Sequence, residues 1–205
     1  MPLAKGSPLE TLENKNLHRI LKRLLRQASF GPRGDTPLQL LDIACGECRE
    51  AETLVQVARE LRGENHRGPI RFVGTDLRDR EVEDAARRFR TTQDTTYDFI
   101  TENAEHLDHH QELGKDFDLA LIRHQNFWLG ATPWKRIFEQ GLAKLSDDGL
   151  LVITSYFDRE HELALGAIAE AGGELIVTER HQESIHLASP GKSVDRHVAV
   201  FRKKS

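Results

Sequence analysis

The most constraining feature of the sequence is an apolar segment that leads through small residues into an amphipathic helix. Residues 38–44 are almost entirely apolar, with Asp42 near their end, and the chain continues as Cys45-Gly46-Glu47-Cys48. Apolar side chains then recur at helical spacing over residues 51–61, and the helix is predicted to end at Gly63. This order predicts a buried strand, a tight turn and a helix whose free N–H groups can bind a ligand.

The same alternation of apolar strands and amphipathic helices continues along the chain. Strands are predicted at residues 38–44, 70–75, 97–101, 117–122, 150–155, 175–180 and 197–202, and helices at 51–61, 80–90, 132–145 and 158–171. Strands that alternate with helices form a parallel sheet covered on both faces. No helical pattern separates the last two strands, so we expect them to form a hairpin. The predicted fold is α/β, a doubly wound, seven-stranded, mostly parallel sheet with an antiparallel last strand.

An N-terminal helix and a linker precede this alternation. Apolar residues recur from Leu17 to Ala28 at spacings of three and four, and the opposite face is basic. Residues 30–37 contain glycine and proline and are predicted to be the linker. The chain is thus divided into residues 1–37 and a main domain at 38–205. The helix is expected either to form a lid over a site or only to pack on the sheet.

Charge and hydropathy indicate a cytoplasmic protein without a membrane partner. The 205 residues carry a net charge of −4, so there is no overall basic field that would attract nucleic acid. The sequence contains no apolar run of about 18 residues, the length that a membrane-spanning helix needs. Residues 1–8 also lack the apolar core of a signal peptide. Nucleic acid is therefore not an expected partner, and the oligomeric state stays open.

The turn after the first strand resembles the first motif of class I S-adenosylmethionine-dependent methyltransferases. In that motif an acidic residue is followed by alternating glycines; Asp42 and Gly46 match it, whereas Ala44 and Cys48 stand where glycine is more usual. The resemblance extends from residue 38 to the C-terminus. It implies a Rossmann-like methyltransferase fold, S-adenosylmethionine as the cofactor, and in-line transfer of a methyl group to an acceptor, which we expect to be a small molecule.

The resemblance also implies that the cofactor contacts the residues that follow each strand, because ligands of doubly wound sheets bind at that edge. Asp42 is expected near the ammonium group, Asp76 at the ribose hydroxyls and Leu77 on the adenine face. The predicted cofactor-binding residues are Asp42, Ala44, Cys45, Gly46, Cys48, Asp76, Leu77, Asn103, Ala104, Arg123 and His124.

The segment after the fourth strand, residues 123–128, is the best candidate for contact with the acceptor. It combines an imidazole, two amides and two aromatic rings. His124 is the predicted catalytic residue, acting as a base if the acceptor must lose a proton. Phe127 and Trp128 are expected either to form an apolar wall of the site or simply to cover the edge of the sheet.

Two other interpretations of the turn stay open. Cys45 and Cys48 form a C-x-x-C pair at a strand-to-helix junction, an arrangement that also occurs in thiol redox proteins. The departures at Ala44 and Cys48 are also compatible with a scaffold that binds S-adenosylmethionine but has lost catalysis. A dinucleotide site is disfavoured because the first two glycines of its motif are absent. No metal site is expected.

Overall fold

The computed structural model describes residues 8–31, 37–62 and 68–204. The predicted helix end at Gly63 and most of the predicted linker at 30–37 lie outside these residues. The elements in chain order are α1 (Pro8–Gln27), β1 (Leu38–Ile43), α2 (Ala51–Leu61), β2 (Ile70–Asp76), α3 (Asp79–Arg88), β3 (Thr95–Thr101), β4 (Phe117–Ile122), α4 (Ala131–Ala143), β5 (Leu145–Ser155), α5 (Asp158–Glu170), β6 (Gly173–Arg180) and β7 (His197–Lys203). Short 3₁₀ helices occupy Ala104–His109, Gln111–Leu113 and Phe127–Leu129.

All seven strands belong to one sheet with the order β3-β2-β1-β4-β5-β7-β6. Strands β1 to β5 pair in parallel, and β7 runs antiparallel to both β5 and β6. The strand order changes direction between β1 and β4, which is where a doubly wound sheet binds its ligand. The predicted doubly wound, mostly parallel sheet with an antiparallel last strand is therefore confirmed.

The sheet separates two apolar layers. Alternate side chains of β1 point to opposite faces: Leu40 packs in the layer with α1 and α2, whereas Leu41 packs in the layer with α4 and α5. Both side chains are fully buried, and burying a leucine stabilises a fold by about 1.5–3 kcal/mol. Burial on both faces explains why β1 is a nearly continuous apolar run.

Helix α1 is both a packing element and part of the wall of a cleft. Its apolar stripe, from Leu17 to Leu25, is buried against α2, β6 and β7. Arg23 also donates a forked pair of hydrogen bonds, of 2.8 and 2.7 Å, to Glu179 on β6. The first turns of α1 instead extend beyond the sheet and line the cleft described below. Helix α1 thus packs on the sheet and also lines the cleft, while its role as a lid stays a prediction.

Several element boundaries differ from the sequence-based prediction, most of all the start of strand β5. Strand β5 begins at Leu145, five residues before the predicted start, and its pairing with β4 shifts register between Phe117 and Leu119. At Gly149 a Cβ would lie 2.5 Å from the carbonyl oxygen of Phe117, so glycine permits a close approach of two strands rather than a simple turn. Helix α4 begins at Ala131, one residue before its predicted start, with Gly130 as its cap, and it ends at Ala143 rather than at the predicted residue 145.

A buried histidine joins β5, α5 and β6. The ring of His161 lies 3.0 Å through Nδ1 from Oγ of Ser155 and 2.8 Å through Nε2 from Oγ1 of Thr178. It also stacks on the ring of His197. Burial, and then the neighbouring charge of His197, lower the pKa of His161 to about 4. The folded protein therefore holds this imidazole in its neutral form at neutral pH.

We expect acid to destabilise the protein through His161. Its pKa is lower in the folded chain than in the unfolded chain, so the unfolded chain binds more protons between about pH 6.5 and pH 4. Stability therefore rises with pH across this window, and His161 alone accounts for a loss of about 2 kcal/mol between pH 7 and pH 5. Urea unfolding at the two pH values measures this loss. In His161→Gln the loss should shrink by about the same amount; an unchanged pH dependence in the variant would contradict this role.

Candidate functional site

A cleft with a volume of about 430 Å³ lies at the carboxyl edge of the sheet, above β1 and β4. Its floor contains five of the residues predicted for cofactor binding: Ala44, Cys45, Gly46, Arg123 and His124. Helix α1 contributes Glu10, Glu13 and Asn14, and Tyr156 follows β5. The cleft therefore coincides with the place where the strand order changes direction.

The turn after β1 has an unusual backbone. Ala44, Gly46 and Cys48 have φ angles of +57°, +57° and +49°, in the left-handed region that favours glycine. A non-glycine residue in this region costs about 1–2 kcal/mol. This conformation is the physical reason why glycine would suit the positions of Ala44 and Cys48. The turn has the predicted shape in spite of both departures.

The two cysteines of the turn are paired with each other. Cys45 and Cys48 form a disulfide, with their Cα atoms 4.8 Å apart. Cys45 lines the cleft, whereas Cys48 is fully buried beneath it. Gly74 on β2 makes room for the pair, since a Cβ there would lie 2.5 Å from Sγ of Cys48 and 3.1 Å from Sγ of Cys45. Of the two predicted contacts, only Cys45 is on the cleft surface.

Asp76 connects the end of β2 to the turn. Its Oδ2 accepts a hydrogen bond of 2.8 Å from the Gly46 N–H, and its Oδ1 accepts bonds of 3.0 Å from both the backbone N–H and Nε of Arg78. Burial opposes the charge of Asp76, but the hydrogen bonds from Arg78 and Gly46 outweigh it and lower the pKa of this carboxyl. A carboxylate has about four acceptor positions, so three of them are already used. Leu77, beside it, is largely exposed and does not line the cleft.

Asp42 lies behind the turn rather than on the cleft surface. It is fully buried, and its Oδ1 has no hydrogen-bond partner among residues 8–31, 37–62 and 68–204. Burial first, and then the charge of Glu50, raise the pKa of Asp42 well above its usual value. A buried carboxyl with an unpartnered oxygen requires a donor, which a ligand or a water molecule can supply.

The two residues predicted for the adenine edge, Asn103 and Ala104, lie away from the cleft surface. The side chain of Asn103 accepts a hydrogen bond of 3.0 Å from the N–H of Glu105 and caps the short helix Ala104–His109. Ala104 is buried in the apolar layer beneath α4. Neither residue lines the cleft.

Arg123 forms a buried ion-pair network at the end of β4. Its Nε and Nη2 donate to Asp195 at 3.1 and 2.8 Å, and its Nη1 lies 3.4 Å from Glu50. Burial disfavours the charge of Arg123, yet the two carboxylates raise its pKa. Burial by itself would raise the pKa of Asp195. The charges of Arg123 and His124 outweigh burial, so the pKa of Asp195 lies below its usual value. The network fixes these charges at the floor of the cleft.

Asp195 was not among the predicted site residues. It lies in the connection between β6 and β7, which carries no motif, and has a φ of +48°. The topology alone offered a signal: β6 runs parallel to β1, so the connection that follows it begins at the same edge of the sheet as the site. Recognising which residue of that connection enters the site requires the tertiary structure.

His124 faces both the cleft and Asp195. Its Nε2 lies 3.0 Å from Oδ1 of Asp195, although the ring is turned so that this contact is electrostatic rather than an aligned hydrogen bond. The ring stacks on Tyr156 with centroids 4.1 Å apart. Burial is the main reason why the pKa of Tyr156 rises to about 12, so Tyr156 stays a neutral phenol. The imidazole is thus held between a carboxylate and an aromatic ring.

Of the two aromatic residues predicted to form a wall, Phe127 is buried against Phe138 of α4. Trp128 is half-exposed and contacts Phe157, with ring centroids 4.8 Å apart. Phe127 therefore covers the sheet, and neither ring lines the cleft. The aromatic surface nearest to His124 is supplied by Tyr156 instead.

The arrangement of the chain is similar to that of solved methyltransferases. A SAM-dependent methyltransferase from Clostridium acetobutylicum superposes with a TM-score of 0.66 at 10% identity, covering 94% of this chain and 92% of that chain. The N-methyltransferase NodS from Bradyrhizobium japonicum gives 0.63 at 16% identity, covering 94% and 97%. An rRNA methylase from Streptococcus thermophilus gives 0.58 at 14% identity, covering 87% and 92%. The chain thus has the class I methyltransferase fold.

The sequence matches no protein-family model and no curated protein. Within the described ranges, no helix combines the length and the apolar character needed to cross a membrane. The same ranges contain no group of three or more His, Cys, Asp or Glu side chains arranged to hold a metal ion.

Proposed function

We propose that this protein is a class I methyltransferase that uses S-adenosylmethionine and transfers its methyl group in line to a small-molecule acceptor. The observation that carries the proposal is the hydrogen bond of the Gly46 N–H to Asp76, which fixes the turn after β1 against the end of β2. Gly46 lines the cleft, whereas Asp76 is buried behind its surface. A glycine with positive φ beside a fixed carboxylate suits a ligand that needs both a close approach to the backbone and an acceptor for hydroxyl groups.

The residues around the cleft fit the charges of this cofactor, which carries a sulfonium and an ammonium group. Ala44, Cys45 and Gly46 would face its amino-acid part, and the unpartnered oxygen of Asp42 would receive the ammonium group through water. Asp76 retains one acceptor position for a ribose hydroxyl. We assign Leu77, Asn103 and Ala104 to the adenine side, Cys48 to support of the turn, and Arg123 and His124 to the methionine side.

The chemistry assigned to this chain is orientation and proton removal. Bound S-adenosylmethionine supplies a methyl group that is activated by its positively charged sulfur. Nε2 of His124 faces Asp195, which leaves Nδ1 as the ring nitrogen that accepts a proton from the acceptor. Arg123 holds Asp195 in place, so Asp195 acts as a positioning residue for the base. The walls of the cleft would limit the directions from which an acceptor reaches the methyl group of the bound cofactor.

The charge of the cleft favours a small-molecule acceptor over a nucleic acid. Carboxylates outnumber guanidinium groups five to three among its lining residues: Glu10, Glu13, Glu47, Glu50 and Glu81 against Arg49, Arg78 and Arg123. Nucleic acids are bound chiefly through cationic contacts to their phosphates. An acidic cleft repels those phosphates, so the site suits a neutral or cationic molecule.

Thiol redox chemistry is a second candidate, favoured by the pairing of Cys45 with Cys48. Only Cys45 lies on the cleft surface, where an exchange partner can reach it. We rank it below methyl transfer because a disulfide exchange makes no use of Asp76 or of the buried Arg123–Asp195 pair. The third candidate, a scaffold that binds the cofactor without turnover, keeps the cofactor site and lacks only the chemistry at His124.

Asp76→Asn tests the proposed cofactor site. We expect the Kd of S-adenosylhomocysteine, measured by calorimetry, to rise about tenfold or more, because the charged acceptor for Gly46, Arg78 and the ribose is lost. Asp98→Asn is the matched control, since Asp98 is an exposed residue of β3 that pairs with Arg71 on the surface. Binding to Asp76→Asn as tight as to the wild-type protein would contradict the assignment of Asp76.

A further inference from the structure

We infer that the methyl acceptor is a small amine, which enters the cleft as its ammonium ion and is recognised by the carboxylate of Glu13 beside Tyr156. This inference rests on the proposed function and names the acceptor class of that same site. It is carried by the distribution of charge in the cleft, by the position of helix α1 and by the base that faces the acceptor side.

Among residues 8–31, 37–62 and 68–204, Glu13 is the glutamate of the cleft that forms no ion pair. Each of the three lining arginines lies within 3.4 Å of at least one carboxylate, so their charges are already compensated. In the part of the chain that the structure describes, every lining glutamate except Glu13 takes part in one of these pairs. Glu13 acts on Arg49 and Arg123 through its charge, but among the described residues it forms an ion pair with neither, so its carboxylate is available to a cationic ligand in the cleft.

Glu13 lies in the same cleft as the candidate base and its aromatic neighbour. Glu13 is half-buried on α1 and lines the same cleft as His124 and Tyr156. Burial is the main cause of the raised pKa of Tyr156, and the charges of Asp195 and Glu13 raise this pKa further. Glu13 therefore lies close enough to Tyr156 for its charge to act on the phenol. A carboxylate that shares the cleft with the base can bind the group from which the base removes a proton.

The surroundings of Tyr156 already hold an ammonium group of the protein. Nζ of Lys192, in the connection between β6 and β7, lies 4.3 Å from the centroid of the Tyr156 ring. This distance is within the range of a cation–π interaction. Because this ring already stacks on His124 and holds Lys192, the group left to attract an organic ammonium ion is the carboxylate of Glu13.

Methylation of an amine requires the base that the site provides. An ammonium ion has no free electron pair, so it first gives a proton to Nδ1 of His124 and becomes a neutral amine. The nitrogen electron pair then forms a bond to the methyl carbon, while the carbon–sulfur bond breaks and its electron pair stays on sulfur. The products are a methylated ammonium ion and neutral S-adenosylhomocysteine, and His124 returns its proton to water. Positive charge is conserved throughout.

The test compares three functional groups on the same carbon skeleton. Phenethylamine, 2-phenylethanol and phenylacetate, and likewise hexylamine, 1-hexanol and hexanoate, are titrated into the complex of the protein with S-adenosylhomocysteine. We expect the amines to bind at least tenfold more tightly than the alcohols and carboxylates, and to accept labelled methyl groups from S-adenosylmethionine. Equal binding of the three classes, or binding of none to the complex, would overturn the inference. Failure of S-adenosylhomocysteine itself to bind would instead refute the proposed function.

Glu13→Gln separates recognition of the amine from binding of the cofactor. We expect affinity for the amines to fall at least tenfold, with the affinity for S-adenosylhomocysteine within threefold of the wild-type value and the alcohols unaffected. Glu139→Gln, at an exposed position of α4 outside the cleft, is the matched control and should change neither affinity. Unchanged amine binding in Glu13→Gln, or a tenfold loss of S-adenosylhomocysteine binding, would overturn the assignment of Glu13 to the acceptor.

Discussion

Replacing Gly46 by valine is expected to abolish binding of S-adenosylhomocysteine, with at least a hundredfold loss of affinity, while the sheet stays folded. Gly46 has a φ of +57°, and a Cβ there would lie 3.2 Å from Nη2 of Arg78. A valine would strain the backbone by about 1–2 kcal/mol and would fill the space through which a ligand approaches the backbone of the turn.

The effect of Gly46→Val is measured by calorimetry, with circular dichroism as the check on folding. Gly166→Val is the matched control, because a Cβ at Gly166 in α5 would have no atom within 4 Å. We expect this control to bind S-adenosylhomocysteine as the wild-type protein does. Wild-type affinity in Gly46→Val would show that the cofactor does not use this turn.

Arg123→Met is expected to lower the free energy of unfolding by about 3–5 kcal/mol, because removing one partner of a buried ion pair leaves the other charge uncompensated. The uncompensated groups would be Asp195, which is fully buried, and Glu50. Methionine keeps most of the volume of the arginine stem, so the decrease in the free energy of unfolding measures the loss of the charge rather than a loss of packing. Urea unfolding at pH 7 measures it.

Arg159→Met provides the comparison for Arg123→Met. Arg159 pairs with Glu162 at 3.0 Å on the surface of α5, with both side chains about two-thirds exposed. An exposed pair of this kind contributes less than about 1 kcal/mol. Similar losses of stability in the two variants would mean that the Arg123 network is not a buried ion pair in solution.

The fold could be predicted from the sequence because its strands carry their signal locally. A strand buried on both faces, such as Leu38–Ile43, must be apolar throughout, and an amphipathic helix must repeat every three to four residues. The boundaries were less predictable where distant residues decide them. Strand β5 continues through Asp147 and Asp148 because Gly149 allows close contact with the carbonyl oxygen of Phe117. The sequence around Gly149 contains no pattern from which this contact could be predicted.

The candidate site was only partly predictable for the same reason. Ala44, Cys45, Gly46, Arg123 and His124 follow strands directly, and the structure brings them together around one cleft. Asp195 and Glu13 come from a loop and a helix that are distant in sequence, so their approach to His124 depends on the tertiary fold. The burial of Asp42 behind the turn likewise depends on neighbours from other strands. The roles of all these residues in binding stay predictions.

Isothermal titration of the purified, ligand-free protein with S-adenosylhomocysteine, with NAD as the control ligand, tests the central claim most directly. We expect binding of one S-adenosylhomocysteine per chain with a micromolar Kd and no heat from NAD. Absence of binding to either ligand, in a protein shown to be folded, would contradict the proposed cofactor site and direct attention to thiol chemistry at Cys45 and Cys48.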